Sequence, residues 1–224
     1  MPILPPHPHP HPRRDDQGRA VLIENPSIAS PLEQWLDPSA IAIAVPDGPL
    51  VETLNGIPFS RQPSSAPWSG DVRRDEACCF DEPPFEPPAG LAPAAGVVTI
   101  EPDGRVWLVA PTNGFGGYKL TFPKGKLEAG LDRRAGALKE AWEESGLRVA
   151  LTGFLADVPR STSWTRYYLA RRIGGTPADM GWESQAVWLV PQPRLPGIAG
   201  HANDRPLLAA LAAIMGAAPA ALKD

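Results

Sequence analysis

The pattern of apolar and polar positions becomes regular from about residue 94 of the 224-residue chain. Short apolar runs bounded by turn residues then recur, and such runs are typical of β-strands. They span residues 96–100, 106–109, 154–158, 164–170 and 185–190. A Pro-Asp-Gly sequence separates the first two runs and predicts a tight hairpin turn. The second half of the chain is therefore expected to build a sheet.

Two segments instead carry apolar residues at spacings of three and four, which is the period of a helix. The first covers residues 132–145, with Gly146 as its C-terminal stop. The second covers residues 204–216 and opens with an Asp-Arg-Pro sequence. Strands on both sides of a central helix, followed by a closing helix, predict an α/β fold in which helices sandwich a mixed sheet.

The first part of the chain is dominated by proline, since 19 of the 29 prolines precede residue 94. Residues 1–20 contain alternating His-Pro pairs and predict a disordered tail without a functional role, although its histidines could bind a metal weakly. Residues 21–90 are expected to be a proline-rich segment that either wraps the following domain or forms a small subdomain. The main domain is expected to span residues 91–218.

Composition narrows the class of protein further. The net charge of −4 gives no basic surface for a nucleic-acid backbone, so we expect no nucleic-acid partner. No apolar run is long enough to span a bilayer, and the N-terminus lacks the apolar stretch of a signal peptide. The adjacent Cys78 and Cys79 cannot form a disulfide framework. These features predict a cytoplasmic protein without a membrane partner.

The residues most suggestive of chemistry lie on the central predicted helix. Glu140, Glu143 and Glu144 are spaced i, i+3 and i+4 and therefore share one helix face. Such carboxylates repel one another unless a hard cation lies among them, and Mg²⁺ prefers carboxylate and water oxygens. The loop 122–126 just upstream, Phe-Pro-Lys-Gly-Lys, offers backbone groups for an anion or metal. A solvated acidic helix face is the alternative interpretation.

This stretch resembles the Nudix box, the signature of the Nudix hydrolases. The positions in register are Gly125, Glu140, Ala141, Glu143, Glu144, Gly146 and Leu147. Leu131 stands where the family has Glu, and Lys139 where it has Arg. In the family those two residues pair and brace the loop against the helix. Because all three carboxylates are retained, the departure concerns bracing more than chemistry.

The resemblance implies a Nudix-type α/β/α sandwich, preceded here by the proline-rich N-terminal extension. It also implies a hydrolase that uses Mg²⁺, with Mn²⁺ as an alternative, to cleave a phosphoanhydride. By resemblance Glu140 and Glu144 are the strongest metal ligands, Glu143 lies beside them, and a loop carbonyl falls on Lys124. Glu140 and Glu143 are the residues expected to orient or deprotonate the attacking water.

Further residues are candidates for substrate binding. Lys124 and Lys126 flank Gly125 as compact phosphate contacts. Arg160 and Arg166 bracket a hydroxyl-rich stretch, and Tyr168 is expected to stack on a base. Since alternate residues of a strand face opposite sides, only one of the adjacent tyrosines 167 and 168 can face the cleft. Nudix enzymes often recruit a carboxylate from beyond the box, and the best-placed residue for that role is Glu183.

The substrate is less narrowly defined. The Pro-Lys-Gly-Lys entry to the box resembles the branch that hydrolyses diadenosine polyphosphates and diphosphoinositol polyphosphates. ADP-ribose or a nucleoside triphosphate is the first alternative, and a non-catalytic Nudix-fold binding module is the second. In each case the expected partner is a phosphorylated small molecule, and the sequence leaves a homodimer open.

Overall fold

The computed structural model describes residues 7–61 and 80–216. The paired cysteines, Cys78 and Cys79, lie outside the described residues, as do the ends of the predicted tail and of the predicted main domain.

Strands outnumber helices in the described parts of the chain. In chain order the strands are β1 (His9–Pro10), β2 (Leu22–Ile23), β3 (Ala42–Ala44), β4 (Thr53–Leu54), β5 (Ile57–Pro58), β6 (Ala92–Thr99), β7 (Arg105–Pro111), β8 (Lys124–Lys126), β9 (Leu147–Pro159), β10 (Ser163–Gly175) and β11 (Ser184–Pro191). The α-helices are α1 (Leu32–Leu36), α2 (Arg133–Ser145), α3 (Leu195–Ile198) and α4 (Arg205–Gly216). None of the helices within these ranges is both long and apolar enough to cross a bilayer.

Two sheets form the centre of the molecule. The first has the strand order β8-β6-β10-β9, and it is mixed because β6 and β10 run parallel while the other pairs are antiparallel. The second is antiparallel with the order β3-β11-β7. The predicted mixed sheet is confirmed.

Alternation along the strands gives the sheets two apolar faces. On β6, for example, Val97 packs in the core that contains the α2 residues Ala137, Leu138 and Ala141. Its neighbour Val98 packs in a second core with Leu207 and Leu211 of α4. Because the two helices cover opposite faces, the predicted α/β/α sandwich is also confirmed.

Strands β9 and β10 are longer than the apolar runs predicted. The predicted run ended at residue 170, and two arginines follow it. Arg172 nevertheless occupies a core position, since its Nε donates to Glu101 Oε1 at 2.6 Å and both side chains are fully buried. A buried ion pair therefore continues the strand where the hydrophobic pattern ends.

Residues 30–59 pack onto the main domain. Trp35, Ala42 and Ala44 are buried in the same core as α2, and β3 pairs with β11 as an edge strand. The Arg105 guanidinium donates to the Trp35 carbonyl at 2.7 Å. The described residues 30–59 therefore lie against the main domain.

The prediction of a disordered tail at residues 1–20 is wrong for residues 7–20, which are the part of the tail that the structure describes. Strand β1 pairs with β2, and a turn between them is closed by Asp15, whose Oδ1 accepts the N–H groups of Gln17 and Arg19. His11 is buried against the main domain. Alternating prolines exclude a helix, but they are compatible with an extended edge strand.

Candidate active site

Helix α2 begins and ends as the sequence predicts. The Asp132 side chain caps it by accepting the N–H groups of Arg134 and Ala135, and Gly146 ends it in the left-handed conformation at φ 68°. Between these ends, Glu140, Glu143 and Glu144 project from adjoining positions on one face. The local sequence therefore fixes the carboxylate cluster.

The glycine of the loop lies directly against the first of these carboxylates. A Cβ atom on Gly125 would lie 2.2 Å from Glu140 Oε1, so a larger residue there would displace the end of the Glu140 side chain. Burial raises the pKa of Glu140 to about 8, and the charges of Glu144 and Glu143 reinforce the effect. Strand β8 and helix α2 thus hold a crowded carboxyl group between them.

Glu144 is the most buried member of the cluster. Its Oε2 accepts the backbone N–H of Lys124 at 3.0 Å, which ties the loop to the helix. Burial raises the pKa of Glu144 to about 7, although the nearby charge and backbone N–H of Lys124 oppose the change. The charged forms of Glu140 and Glu144 are therefore both disfavoured, mainly by burial.

The family braces the loop with a Glu–Arg pair at positions 131 and 139, whereas here Lys139 pairs with Glu128. Its Nζ lies 2.8 Å from Glu128 Oε1 in the loop and 3.0 Å from Glu143 Oε2 in the helix. Burial disfavours the charged amine, but the hydrogen bonds to Glu128 and Glu143 outweigh it and raise the pKa of Lys139. Glu128 thus takes the position of the acid that Leu131 lacks, from three residues earlier in the loop.

A single cleft of about 900 Å³ brings most of the predicted site residues together. Those that line it are Lys124, Lys126, Glu140, Glu143, Glu144, Arg160 and Glu183. Partial desolvation raises the pKa of Glu183, and the charges of Asp16 and Glu143 add to the shift. The cleft is therefore acidic around α2 and at the Glu183 loop, with cations on the intervening walls.

Arg166 and Tyr168 were expected in this cleft, and that prediction is wrong. The Arg166 guanidinium donates to both oxygens of Asp157, at 2.8 and 2.6 Å, and also contacts Glu82. The Tyr168 hydroxyl donates to Glu82 at 2.8 Å. The alternation of β10 was predicted correctly, but the cleft lies on the other face of the strand, beside Ser163.

Arg160 lies in the cleft, but its guanidinium is hydrogen-bonded within the protein. One of its NH groups donates to Asp204 Oδ1 at 2.6 Å and the other donates to the Tyr167 hydroxyl at 2.6 Å. Asp204 is fully buried, whereas the sequence predicted it only as the start of a helix. The proximity of these side chains depends on tertiary packing, so the sequence carried no signal for the cluster.

The sequence pattern also did not predict an aromatic pair at the cleft. The rings of Tyr118 and His201 stack with centroids 4.0 Å apart, and Asn203 Nδ2 donates to the Tyr118 hydroxyl at 2.9 Å. Tyr118 lines the cleft together with Phe115, which is 82% exposed. The glycine-rich sequence 114–117 was the available signal, because such loops commonly carry binding residues.

The donor chemistry of the cleft fits a hard divalent cation. Its acidic groups are all carboxylates, which such a cation prefers as ligands, and burial is the main cause of the raised pKa values of Glu140 and Glu144. Within residues 7–61 and 80–216, however, no three carboxylate, imidazole or thiol groups converge in a preformed metal site. One of the candidate ligands, Glu143, forms an ion pair with Lys139 instead.

The fold and the carboxylate helix together define the class of protein. The model of the NUDIX domain matches residues 90–211, which is more than half of the chain, and the chain belongs to the Nudix family.

The sequence is similar to RNA pyrophosphohydrolases from two strains of Caulobacter vibrioides, at 34% identity over 99 residues. The match covers 43% of this chain and 54% of each relative, so the chain spans about half the length of the curated relatives it matches.

Solved structures with a similar chain path include a putative Nudix hydrolase from Chromobacterium violaceum, at 25% identity and a TM-score of 0.47, covering 59% of this chain and 84% of that one. An Ap4A hydrolase from C. elegans is 19% identical with a TM-score of 0.46, covering 55% of this chain and 98% of that one.

Proposed function

We propose that the protein is a Mg²⁺-dependent hydrolase that cleaves a phosphoanhydride bond in a nucleotide. One observation carries the proposal: Glu140, Glu143 and Glu144 retain the Nudix register and line one cleft with Lys124 and Lys126. A cleft with oxygen ligands on one wall and cations on another suits a polyphosphate, whose charge must be neutralised before a nucleophile can approach.

Each residue has a distinct role in the proposed reaction. Glu140 and Glu144 would hold the cation, with Glu143 and the Lys124 carbonyl as additional ligands. When bound, Mg²⁺ supplies charge neutralisation at the phosphate oxygens and lowers the pKa of a water molecule. Glu143, with a side chain 46% exposed, is the member of the cluster best able to accept a proton from an incoming water.

The phosphate chain would be bound by the side chains of Lys124 and Lys126. Lys126 is exposed and projects from the same short strand as Lys124, so the two ammonium groups can contact successive phosphates. Arg160 acts less directly, since its guanidinium is held by Asp204 and Tyr167. Glu183 is proposed as the further carboxylate of the site.

The cleft favours a nucleotide over a diphosphoinositol polyphosphate. Of its cations, Lys139 and Arg160 are paired with carboxylates, which leaves few groups to neutralise the many phosphates of an inositol ring. The Tyr118–His201 stack offers an aromatic surface for a base. A diadenosine polyphosphate combines a charged chain with such bases and is our first choice of substrate.

A second candidate is the 5′ end of a triphosphorylated RNA. It is favoured by the 34% identity to proteins named RNA pyrophosphohydrolase, and it differs from the expectation that nucleic acid is not a partner. The 5′ triphosphate of such an RNA contains the same kind of phosphoanhydride bond as a mononucleotide. A longer nucleotide chain is attached on one side of it. ADP-ribose and nucleoside triphosphates are further candidate substrates of the same kind of site. A binding module without turnover would belong to a different class of protein.

A product analysis with Mg²⁺ tests the proposal. The panel contains diadenosine tetra-, penta- and hexaphosphate, a diphosphoinositol phosphate, ADP-ribose, nucleoside triphosphates and a 5′-triphosphorylated RNA oligonucleotide. Glu144→Gln is the matched control, because Gln keeps an oxygen that can accept the Lys124 N–H while the ligand charge is lost.

We expect Glu144→Gln to retain the fold and to lose about three orders of magnitude or more in rate. Preferential cleavage of one substrate class by the wild type would identify the branch. A folded protein that binds Mg²⁺ but cleaves nothing in the panel would instead favour the binding module. A Glu144→Gln variant within tenfold of the wild-type rate would contradict the assigned metal ligands.

A further inference from the structure

Glu183 lies in a short loop whose neighbouring residues are held by the N-terminal part of the chain. We use the name N-terminal strap for residues 7–25, which contain β1, β2 and the turn between them. The strap lies outside the matched NUDIX domain at 90–211. Its hydrogen bonds to the residues on both sides of Glu183 connect it to the proposed site.

His11 makes the most buried of these hydrogen bonds. Its Nε2 donates to the carbonyl of Ser184 at 3.1 Å, and its Nδ1 accepts the backbone N–H of Arg13 at 2.9 Å. The residue is only 4% exposed. Burial lowers the pKa of His11, which favours the neutral form required by this donor and acceptor arrangement.

Asp16 contacts the residue on the other side. The indole Nε1 of Trp182 donates to Asp16 Oδ1 at 3.2 Å. Asp16 and Val21 also line the cleft itself, so the strap forms part of its wall. A third contact, from Gln185 Nε2 to the Asn25 carbonyl at 3.0 Å, extends the attachment beyond the loop.

The opposite side of the loop rests on the main domain. Gly181 N–H donates to the carbonyl of Glu143 at 2.7 Å, and Thr112 N–H donates to the carbonyl of Glu183 at 2.8 Å. A Cβ atom on Gly181 would lie 2.4 Å from the backbone oxygen of Glu143, so the loop runs close to α2. The Glu183 loop is therefore held between the carboxylate helix and the strap.

We propose that the N-terminal strap is a positioning element of the active site, in which His11 and Asp16 hold the loop that carries Glu183. This inference rests on the proposed function, because Glu183 is positioned for the hydrolysis described above. His11 and Asp16 are positioning residues: His11 acts through Ser184, and Asp16 acts through Trp182 and also places its charge near Glu183. A segment outside the family domain thus completes one wall of the cleft.

The first set of variants separates positioning from folding. His11→Leu removes the donor to Ser184, whereas His11→Gln keeps an N–H near the position of Nε2. Asp16→Ala removes the acceptor of Trp182 at an exposed position, so it leaves the fold intact even if His11→Leu does not. Arg19→Ala is the matched control in the same strap, because its side chain hydrogen-bonds within the strap, to Asp15 and Gln17.

Two measurements are made on each variant. Steady-state kinetics with Mg²⁺ give kcat and KM, and a double-mutant cycle with Glu183→Gln measures whether the strap acts through Glu183. Amide hydrogen exchange of the metal-free protein reports the mobility of residues 181–186 without any requirement for turnover. The second measurement stays informative if the proposed function fails.

We expect His11→Leu and Asp16→Ala to lower kcat about tenfold with KM little changed, which is the effect typical of lost outer-shell contacts. His11→Gln and Arg19→Ala should remain near the wild type. In the Glu183→Gln background the strap variants should have no further effect, and exchange at 181–186 should become faster only in His11→Leu and Asp16→Ala.

Additive effects with Glu183→Gln, or unchanged exchange at 181–186, would overturn the inference. If the wild type cleaves no substrate, the proposed function fails and the exchange measurement alone decides whether the strap positions the loop.

Discussion

Lys139 joins the glycine loop to α2 through two carboxylates, one in each element. Its contact with Glu128 crosses from helix to loop, and its contact with Glu143 is an i, i+4 pair within the helix. One amine therefore both braces the loop and restrains a proposed metal ligand. The family arrangement assigns the bracing to a separate Glu–Arg pair.

The family pair should be tolerated when it is restored in this chain. Leu131 is half-buried and lies over Gly136, near the side of the helix that carries Lys139. The double variant Leu131→Glu with Lys139→Arg should therefore keep a melting temperature within a few degrees of the wild type, because an Arg pairs well with a neighbouring carboxylate. Thermal melts and rates of both single variants and of the double variant provide the test. Loss of the folded state in the double variant would show that Leu131 packs more tightly than its burial indicates.

The raised carboxyl pKa values predict a pH-dependent stability of the metal-free protein. Between the ordinary value of 4.5 and about 8, the unfolded chain releases the Glu140 proton while the folded chain keeps it, so rising pH lowers the free energy of unfolding. At pH 8 in a chelator, Glu140→Gln should be about 1–2 kcal/mol more stable than the wild type, and at pH 5 the two should be similar.

Urea unfolding at both pH values measures this difference. Glu33→Gln, at an exposed position on α1, is the control and should show no such pH dependence. Added Mg²⁺ should stabilise the wild type more than Glu140→Gln at pH 8, since only the wild type carries the full ligand charge. Equal stabilities of wild type and Glu140→Gln at pH 8 would argue against the crowded carboxyl group.

Some residue roles follow from the sequence and others do not. The register of Glu140, Glu143 and Glu144 depends only on local helix geometry, so the sequence predicted their common face. The location of Arg166 depends on which face of β10 borders the cleft. That choice is made by the packing of residues 80–88, and the hydrophobic pattern carries no information about it.

At the level of elements, residues 80–85 pack against the face of β10 that carries Arg166 and Tyr168. Arg166 pairs with Asp157 and Glu82, and its guanidinium lies over the rings of Phe85 and Phe154 at 4.8 and 4.9 Å. Phe80 packs near Tyr168 with ring centroids 5.9 Å apart. This segment is therefore docked on β10 through a buried arginine.

Arg166→Ala should destabilise the protein without a specific effect on phosphate binding. The side chain is fully buried, and its loss removes the ion-pair partner of Asp157 and one of several partners of Glu82, which costs about 3–5 kcal/mol. Chemical denaturation gives the stability, and KM at a temperature where the variant is folded gives the effect on substrate. Lys126→Ala is the matched comparison, for which KM should rise while stability changes little. A large rise in KM for a stable Arg166→Ala variant would restore the predicted substrate contact.

At the level of the whole molecule, residues 30–59 of the proline-rich segment are part of the fold. Trp35 is fully buried and packs against Phe59 and Trp107, with ring centroids 5.9 and 6.0 Å apart. Strand β3 completes the second sheet. The sequence predicted the architecture of the second half because its elements follow regular local periods. It left the arrangement of residues 21–90 open, since the contacts of the described residues in that segment, such as Trp35 with Trp107, are long-range.

The variant Trp35→Ala measures how much the packing of residues 30–59 contributes to the stability of the main domain. Removing a buried indole should lower the free energy of unfolding by about 3–5 kcal/mol, as found for large-to-small changes in cores. Leu36→Ala on the same short helix is the control, because Leu36 is 67% exposed and should change stability by less than about 1 kcal/mol. The two variants are compared by urea unfolding. A Trp35→Ala effect as small as that of Leu36→Ala would mean that the two halves are stable independently.

The pairing of β3 with β11 also has a consequence during synthesis. Ala42 and Ala44 lie opposite Leu189 and Val187, so the early strand has no partner until most of the chain has been translated. At about 5–20 residues per second, the ribosome needs roughly ten seconds or more to deliver that partner. During this interval Trp35 has not yet met Trp107 and β11, and the nascent chain exposes an apolar surface. Slow, late closure of the second sheet is therefore expected, with a demand for chaperones at the ribosome.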